Sequence, residues 1–212
     1  MGAAIHVRGA SRERFLALIV ARLGTEGFEM TEANENENEN ENVDGVRSRE
    51  ANAVSVDEGE RPTRRLIVNR SGRWLAMSER GMDLEGWATY LSRALETSVL
   101  CIFSTPLGLP NLAQVTRFDH GRQIENVEIP RDMTRDKNER LLLPCGVLEP
   151  WLSPGSRPAR MKHLVFTSEQ RGAADILEAI GEAIDLPRLW IDADEADSEA
   201  GDLELDFARR AR

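Results

Sequence analysis

From Asn34 to Asn42 asparagine and glutamate alternate without interruption, inside a polar stretch that runs from Thr31 to Thr63. No regular structure suits such a repeat. Wound as a helix it would set Glu35 near Glu39 and Glu37 near Glu41, like charges at i,i+4 spacing. Laid out as a strand it would line one face with carboxylates alone. It carries too little apolar surface to offset the entropy of ordering it. Residues 31–63 are therefore expected to form a disordered insertion. Loop-closure entropy grows only logarithmically with length, so an insertion of about thirty residues adds on the order of 1 kcal/mol. It can lie within one domain, and the apolar segments on either side of it can share a core.

Those segments alternate between strand and helix periods. Ala4-Ile5-His6-Val7 reads as a short strand ended by Gly9. Ser11 offers an N-cap, and Phe15, Leu16, Ile19, Val20 and Leu23 make one helical stripe that Gly24 and Gly27 close. After the insertion, Leu66-Ile67-Val68 and Trp74-Leu75-Ala76-Met77 flank a turn at Asn69-Arg70-Ser71-Gly72, a strong hairpin signal. Asp83 can cap a second helix, in which Leu84, Trp87, Ala88, Leu91 and Leu95 share a face. The continuous apolar run from Ser98 to Ser104 reads as a strand covered on both sides. A second hairpin is expected around Asp119-His120-Gly121-Arg122.

From Pro130 onward Pro144, Pro150, Pro154 and Pro158 punctuate a loop-rich segment holding the short apolar pieces Leu141–Leu143, Trp151-Leu152 and Leu164–Phe166. A third amphipathic helix runs from about Glu169 to Ile184, with Ala173, Leu177, Ile180 and Ile184 on one face. Over Ala4–Ser104 the order is strand-helix-strand-strand-helix-strand. That is the succession of an α+β, ferredoxin-like split βαβ two-layer sandwich, a mixed or antiparallel sheet with helices on one face. The later hairpin and helix extend it. Residues 1–191 are expected to be this single domain, and 192–212 a charged, flexible C-terminal tail.

Charge narrows the function. The chain of 212 residues has 37 acidic and 27 basic side chains, a net charge of -10. Phosphate backbones are gripped by basic surfaces that release counterions, so nucleic acid is a disfavoured partner. Only Lys137 and Lys162 among the basic residues are lysine, an arginine bias that fits a GC-rich bacterial genome. No stretch approaches the roughly 20 apolar residues of a membrane span. The first residues, Met1 to Arg8, lack the charged and apolar regions of a signal peptide. Two cysteines, Cys101 and Cys145, imply no disulfide framework. A cytoplasmic protein is expected.

Motifs for chemistry are sparse. Cys145, in Pro144-Cys145-Gly146, is the one residue that resembles an exposed nucleophile, and catalysis would require a base such as His120 or His163 beside it. Neither metal-ligand spacings nor the Gly-rich phosphate cradles occur, so no catalytic residue, metal site or cofactor is expected. Two basic clusters, Arg61, Arg64 and Arg65, then Arg157, Arg160, Lys162 and His163, could hold an anion or an acidic surface. Trp151 and Trp190 stand outside the periodic faces, as interface anchors do. Binding is therefore assigned to Trp151, Trp190, Arg157, Arg160 and Lys162. The expected function is a non-catalytic protein-binding module, an acidic immunity or inhibitor-type protein that meets another protein. An enzyme built around Cys145 and a histidine, and a structural subunit of a larger assembly, are the alternatives.

Overall fold

The computed structural model describes residues 2–35, 63–79, 81–104, 112–130, 140–144, 147–152, 163–167, 173–186 and 202–210. β1 (Gly2–Arg8) leads through α1 (Arg12–Thr25) to β2 (Phe28–Glu35). β3 (Thr63–Ser71) and β4 (Trp74–Glu79) form a hairpin, and α2 (Leu84–Leu95) joins it to β5 (Val99–Ser104). β6 (Leu112–Asp119) and β7 (Arg122–Pro130) form the second hairpin. β8 (Arg140–Pro144), β9 (His163–Thr167), α3 (Ala173–Ile184) and β10 (Asp202–Arg209) follow.

Local chemistry accounts for the boundaries. The Ser11 hydroxyl accepts from the Arg14 amide and the Asp83 carboxylate from the Gly86 amide, which satisfies orphan donors at the starts of α1 and α2. The β6–β7 turn places His120 and Gly121 at φ 49° and 78°, the paired positive values of a tight hairpin turn. β3 runs on through Asn69 and Arg70 to Ser71, so its turn falls at Gly72 and Arg73, just beyond the expected position.

Eight strands make one sheet in the order β2-β10-β3-β4-β1-β5-β6-β7, every neighbouring pair antiparallel, while β8 and β9 pair separately. The chain is thus α+β, its main sheet antiparallel. α1 and α2 lie on one face. Phe15, Ile19 and Leu23 of α1 and Trp87, Ala88 and Leu91 of α2 share a core with Ile5, Val7, Leu66, Val68, Met77 and Val99. The opposite face is also covered, which corrects the expectation of helices on one side. There Leu177, Ile180 and Ile184 of α3 pack with Trp151 against Trp74, Leu100, Ile102 and Val115. Both sides of β5 are consequently buried, as its unbroken apolar run requires. No helix among the described residues is long and apolar enough to cross a membrane.

Two segments differ from their sequence reading. Thr31–Glu35, the first part of the expected insertion, completes β2, and Thr63 opens β3; residues 36–62 lie outside the described residues. The expected tail, 192–212, contributes β10, which sits inside the sheet between β2 and β3. The reason is an alternation that the acidity conceals. Leu203, Leu205 and Phe207 enter the α1 core, while Asp202, Glu204 and Asp206 point to the other face. On that face the Asn69 amide donates to Asp202, and Arg65 donates twice to Asp206, at 2.8 and 3.1 Å. The main sheet therefore includes residues up to Arg209.

Candidate functional site

The residues expected to bind are only partly described. Arg157, Arg160, Lys162 and Trp190 lie outside the described residues, as do Arg61 and Cys145; the side chain of His163 in β9 does too. Trp151 is described and belongs to the core. It is 3 % exposed, its ring centroid lies 5.8 Å from that of Trp74, and its carbonyl accepts from Arg8 Nη1 at 2.8 Å. The aromatic that irregular sequence context marks as an anchor is a cover over the sheet.

The described members of the first basic cluster, Arg64 and Arg65, are paired with the protein's own carboxylates. Arg64 forks onto Glu79 and also reaches Glu26; the hydrogen bond to Glu79, chiefly, raises its pKa. Arg65 pairs with Asp206 and lies 3.8 Å from Glu204. Of the groups considered for chemistry, Cys101 is buried in β5, and burial pushes its thiol pKa up, away from a nucleophilic thiolate. His6 is fully buried edge-on to Trp74, and His120 stands in the exposed β6–β7 turn with Nδ1 2.9 Å from Asp119. Among the described residues no three His, Cys, Asp or Glu side chains are placed to hold a metal.

The sheet edges present a different kind of site. Among the described residues β2 pairs with β10 alone, and β7 with β6 alone. An edge strand leaves one row of backbone N–H and C=O groups unpaired, a template for another strand. β7 is partly engaged: Val127 enters the α3 core, Asn126 accepts from Thr116, and Glu128 accepts from Gln114. β2 is more open. Glu29, Met30, Thr31, Glu32 and Ala33 are exposed in succession, and Met30 keeps 46 % of its surface. Its inner residue is Phe28, which packs on the α1 core under the Arg64 guanidinium.

Charge at this edge is predominantly negative. Glu32 of β2 lies opposite Asp206 of β10, Asn34 lies opposite Glu204, and Glu29 lies opposite Ala208. Arg65 answers the β10 acids, and Arg210 comes within 3.8 Å of Glu29. Sequence reasoning does not point to this strand. Phe28 and Met30 begin an alternation that Glu32 and Asn34 break, and strand propensity is poor for the Glu and Asn that follow. Pairing with β10 supplies what local preference lacks. Comparison of the chain with protein-family models, with curated proteins and with solved structures finds no match.

Proposed function

We propose that this chain is a non-catalytic protein-binding module of the bacterial cytoplasm, of the immunity or inhibitor type, and that the β2 edge receives a basic, extended segment of its partner. The observation that carries this reading is the run Glu29–Ala33, open to solvent on a strand with one described neighbour. Main-chain hydrogen bonds to the open row would supply affinity, as in strand addition to other sheet edges. Met30, unbranched and polarizable, gives an adaptable apolar contact. The carboxylates and the net charge of -10 attract a cationic segment and set its approach rate.

The fold supports a stable platform for such an edge. β5, β1, β4 and β3 are consecutive neighbours with alternating directions, α1 lies between β1 and β3 in sequence, and α2 joins β4 to β5. We read these six elements as a ferredoxin-like split βαβ unit that β10 and β2 widen on one side and β6 and β7 on the other.

Amide hydrogen exchange with a lysine-valine alternating peptide tests the reading. Protection should rise along β2, stay unchanged along β7, and weaken steeply with added salt. Replacing Glu29 and Glu32 by lysine should abolish the effect. Equal protection at both edges, or binding indifferent to salt, would sink the proposal.

A further inference from the structure

β2 offers an added strand two unlike faces, and its register with β10 sorts the residues between them. Phe28, Met30 and Ala33 stand opposite Arg209, Phe207 and Leu205, and β10 directs Leu205 and Phe207 into the α1 core. Residues paired across a sheet share a face, so these three lie on the α1 side. Glu29 and Glu32 stand opposite Ala208 and Asp206 and lie on the other side. Thr31 is the extra residue of a bulge at the step from Asp206 to Phe207, and its hydroxyl donates to the Asp206 carbonyl at 3.1 Å. That bulge keeps Glu29 and Glu32, though separated by two residues, on one face.

On the α1 side the helix supplies a second wall. Phe15, Ile19 and Leu23 face the core. Arg14 and Arg22 donate to the Ala94 and Gly86 carbonyls of α2, and the Tyr90 hydroxyl donates to the Leu18 carbonyl, so the flank through these positions faces α2. At about 100° per residue, Leu16 and Val20 fall on the opposite flank. α1 packs beside β2 while α2 packs on β1, β5 and β6, so that flank is the one turned to the sheet edge. The chain passes from α1 into β2 through Glu26 and Gly27, and the strand runs back along the helix. Val20 lies one helical turn, about 6 Å, before Gly24, and Met30 lies about 7 Å along the strand from Phe28, which sets the two at one level. Leu16 is half-buried on the core, whereas Val20 and Met30 keep 37 % and 46 % of their surface. An apolar strip thus runs between α1 and the open edge.

Resting on the reading of β2 as a docking edge, we propose that the partner segment is an amphipathic strand alternating apolar and basic residues, and that Val20 and Met30 select its apolar positions. The Arg210 amide donates to the Gly27 carbonyl at 2.9 Å. Antiparallel pairing alternates groups turned to the partner with groups turned away, so Phe28 and Met30 turn their N–H and C=O groups to the open side. An added strand bonds to those two residues. Its side chains opposite them fall on the α1 side, against Val20 and Met30, where an apolar residue fits. Its intervening side chains fall on the side of Glu29 and Glu32, where lysine or arginine fits. A second copy of β2 brings carboxylates to that side, and like charges exclude it.

Three peptides of equal length and charge separate an amphipathic strand from a merely basic one: lysine alternating with valine, the same residues in two blocks, and lysine alternating with serine. Affinities are read from the protection that each gives the β2 amides of the full chain, titrated at low ionic strength. The lysine-valine alternation should bind at least about fourfold more tightly than the other two, the gain of roughly one buried methylene. V20Q should remove that gain, leave the lysine-serine peptide within about twofold, and keep the parent's melting midpoint because Val20 is exposed. M30Q should do the same. I124Q, which changes the exposed apolar residue of β7, should leave all three affinities as they are. Equal binding of the three peptides at β2, or a V20Q loss shared by the lysine-serine peptide, would overturn the amphipathic strand and leave the docking edge standing. No protection of β2 by any peptide would remove the docking edge and the amphipathic strand together. Self-association of the parent that V20Q abolishes would make a second copy the occupant and overturn the proposal.

Discussion

Asp202 and Asp206 occupy the same face of β10, and their surroundings set them far apart in energetic worth. Asp202 is 1 % exposed and accepts from the Asn69 amide, itself buried. Asp206 is partly open to solvent and accepts from Arg65, whose side chain is largely exposed. Truncating Asp202 to alanine strands a buried donor, a loss of about 1–3 kcal/mol. D206A gives up an exposed ion pair, for which about 0–1 kcal/mol is the ordinary range. Urea denaturation of the two variants should show this order, and equal losses would mean that the Asn69–Asp202 contact adds nothing. In the sequence the two aspartates are indistinguishable members of an acidic run. Their difference comes from which partner strand lies opposite, and pairing across 133 residues of chain is invisible to local pattern. Ser11 and Asp83 are the contrary case, because a cap acts on an amide three residues away and can be read from its own neighbourhood.

Elements follow the same division between local and distant causes. α1, α2, α3, the β3–β4 hairpin and the β6–β7 hairpin are legible because their apolar period and turn residues lie within a dozen positions. β2 and β10 are not, since each is acidic, β2 becomes a strand by pairing with β10, and β10 does so by pairing with β2 and β3. For β10 the signal Leu203-x-Leu205-x-Phe207 is present, but net charge outweighs it in any reading that takes acidity for disorder. A chain ending at Gly201 would expose β3 along its length and leave the α1 core without three side chains. It should lose the single cooperative melt of the full chain. F207A, a milder version, should cost about 3–5 kcal/mol, as large-to-small changes at fully buried aromatics do. A truncated chain that melts like the parent would show that β10 is a dispensable strip. The same comparison sharpens the polar repeat: its first two residues, Asn34 and Glu35, are strand, so a deletion that starts at Asn34 shortens the edge and one that starts beyond Glu35 does not.

At the scale of the whole molecule, an eight-stranded open sheet has to keep two edges from finding each other. The β7 edge spends its polar side chains on β6 and its apolar Val127 on the α3 core. The β2 edge has no such cover among the described residues and relies on charge: two copies meeting edge to edge would bring Glu29 and Glu32 against their own counterparts, with Glu204 and Asp206 one strand behind. Like charges placed opposite one another across a strand pair are destabilising, and edge charges of this kind are a common guard against self-association. They also make the edge selective, because a cationic strand meets attraction where a second copy meets repulsion. Guard and recognition surface are thus the same carboxylates. E29V/E32V removes the repulsion and adds β-branched residues that favour pairing, while Met30 stays exposed beside them. Sedimentation of this variant should show mass rising with concentration well above the parent, and added salt should shift the parent toward the same behaviour by screening its edge. A variant that sediments like the parent at every concentration would mean that something other than Glu29 and Glu32 protects β2, and the edge-strand account of partner binding would lose its charge-based selectivity.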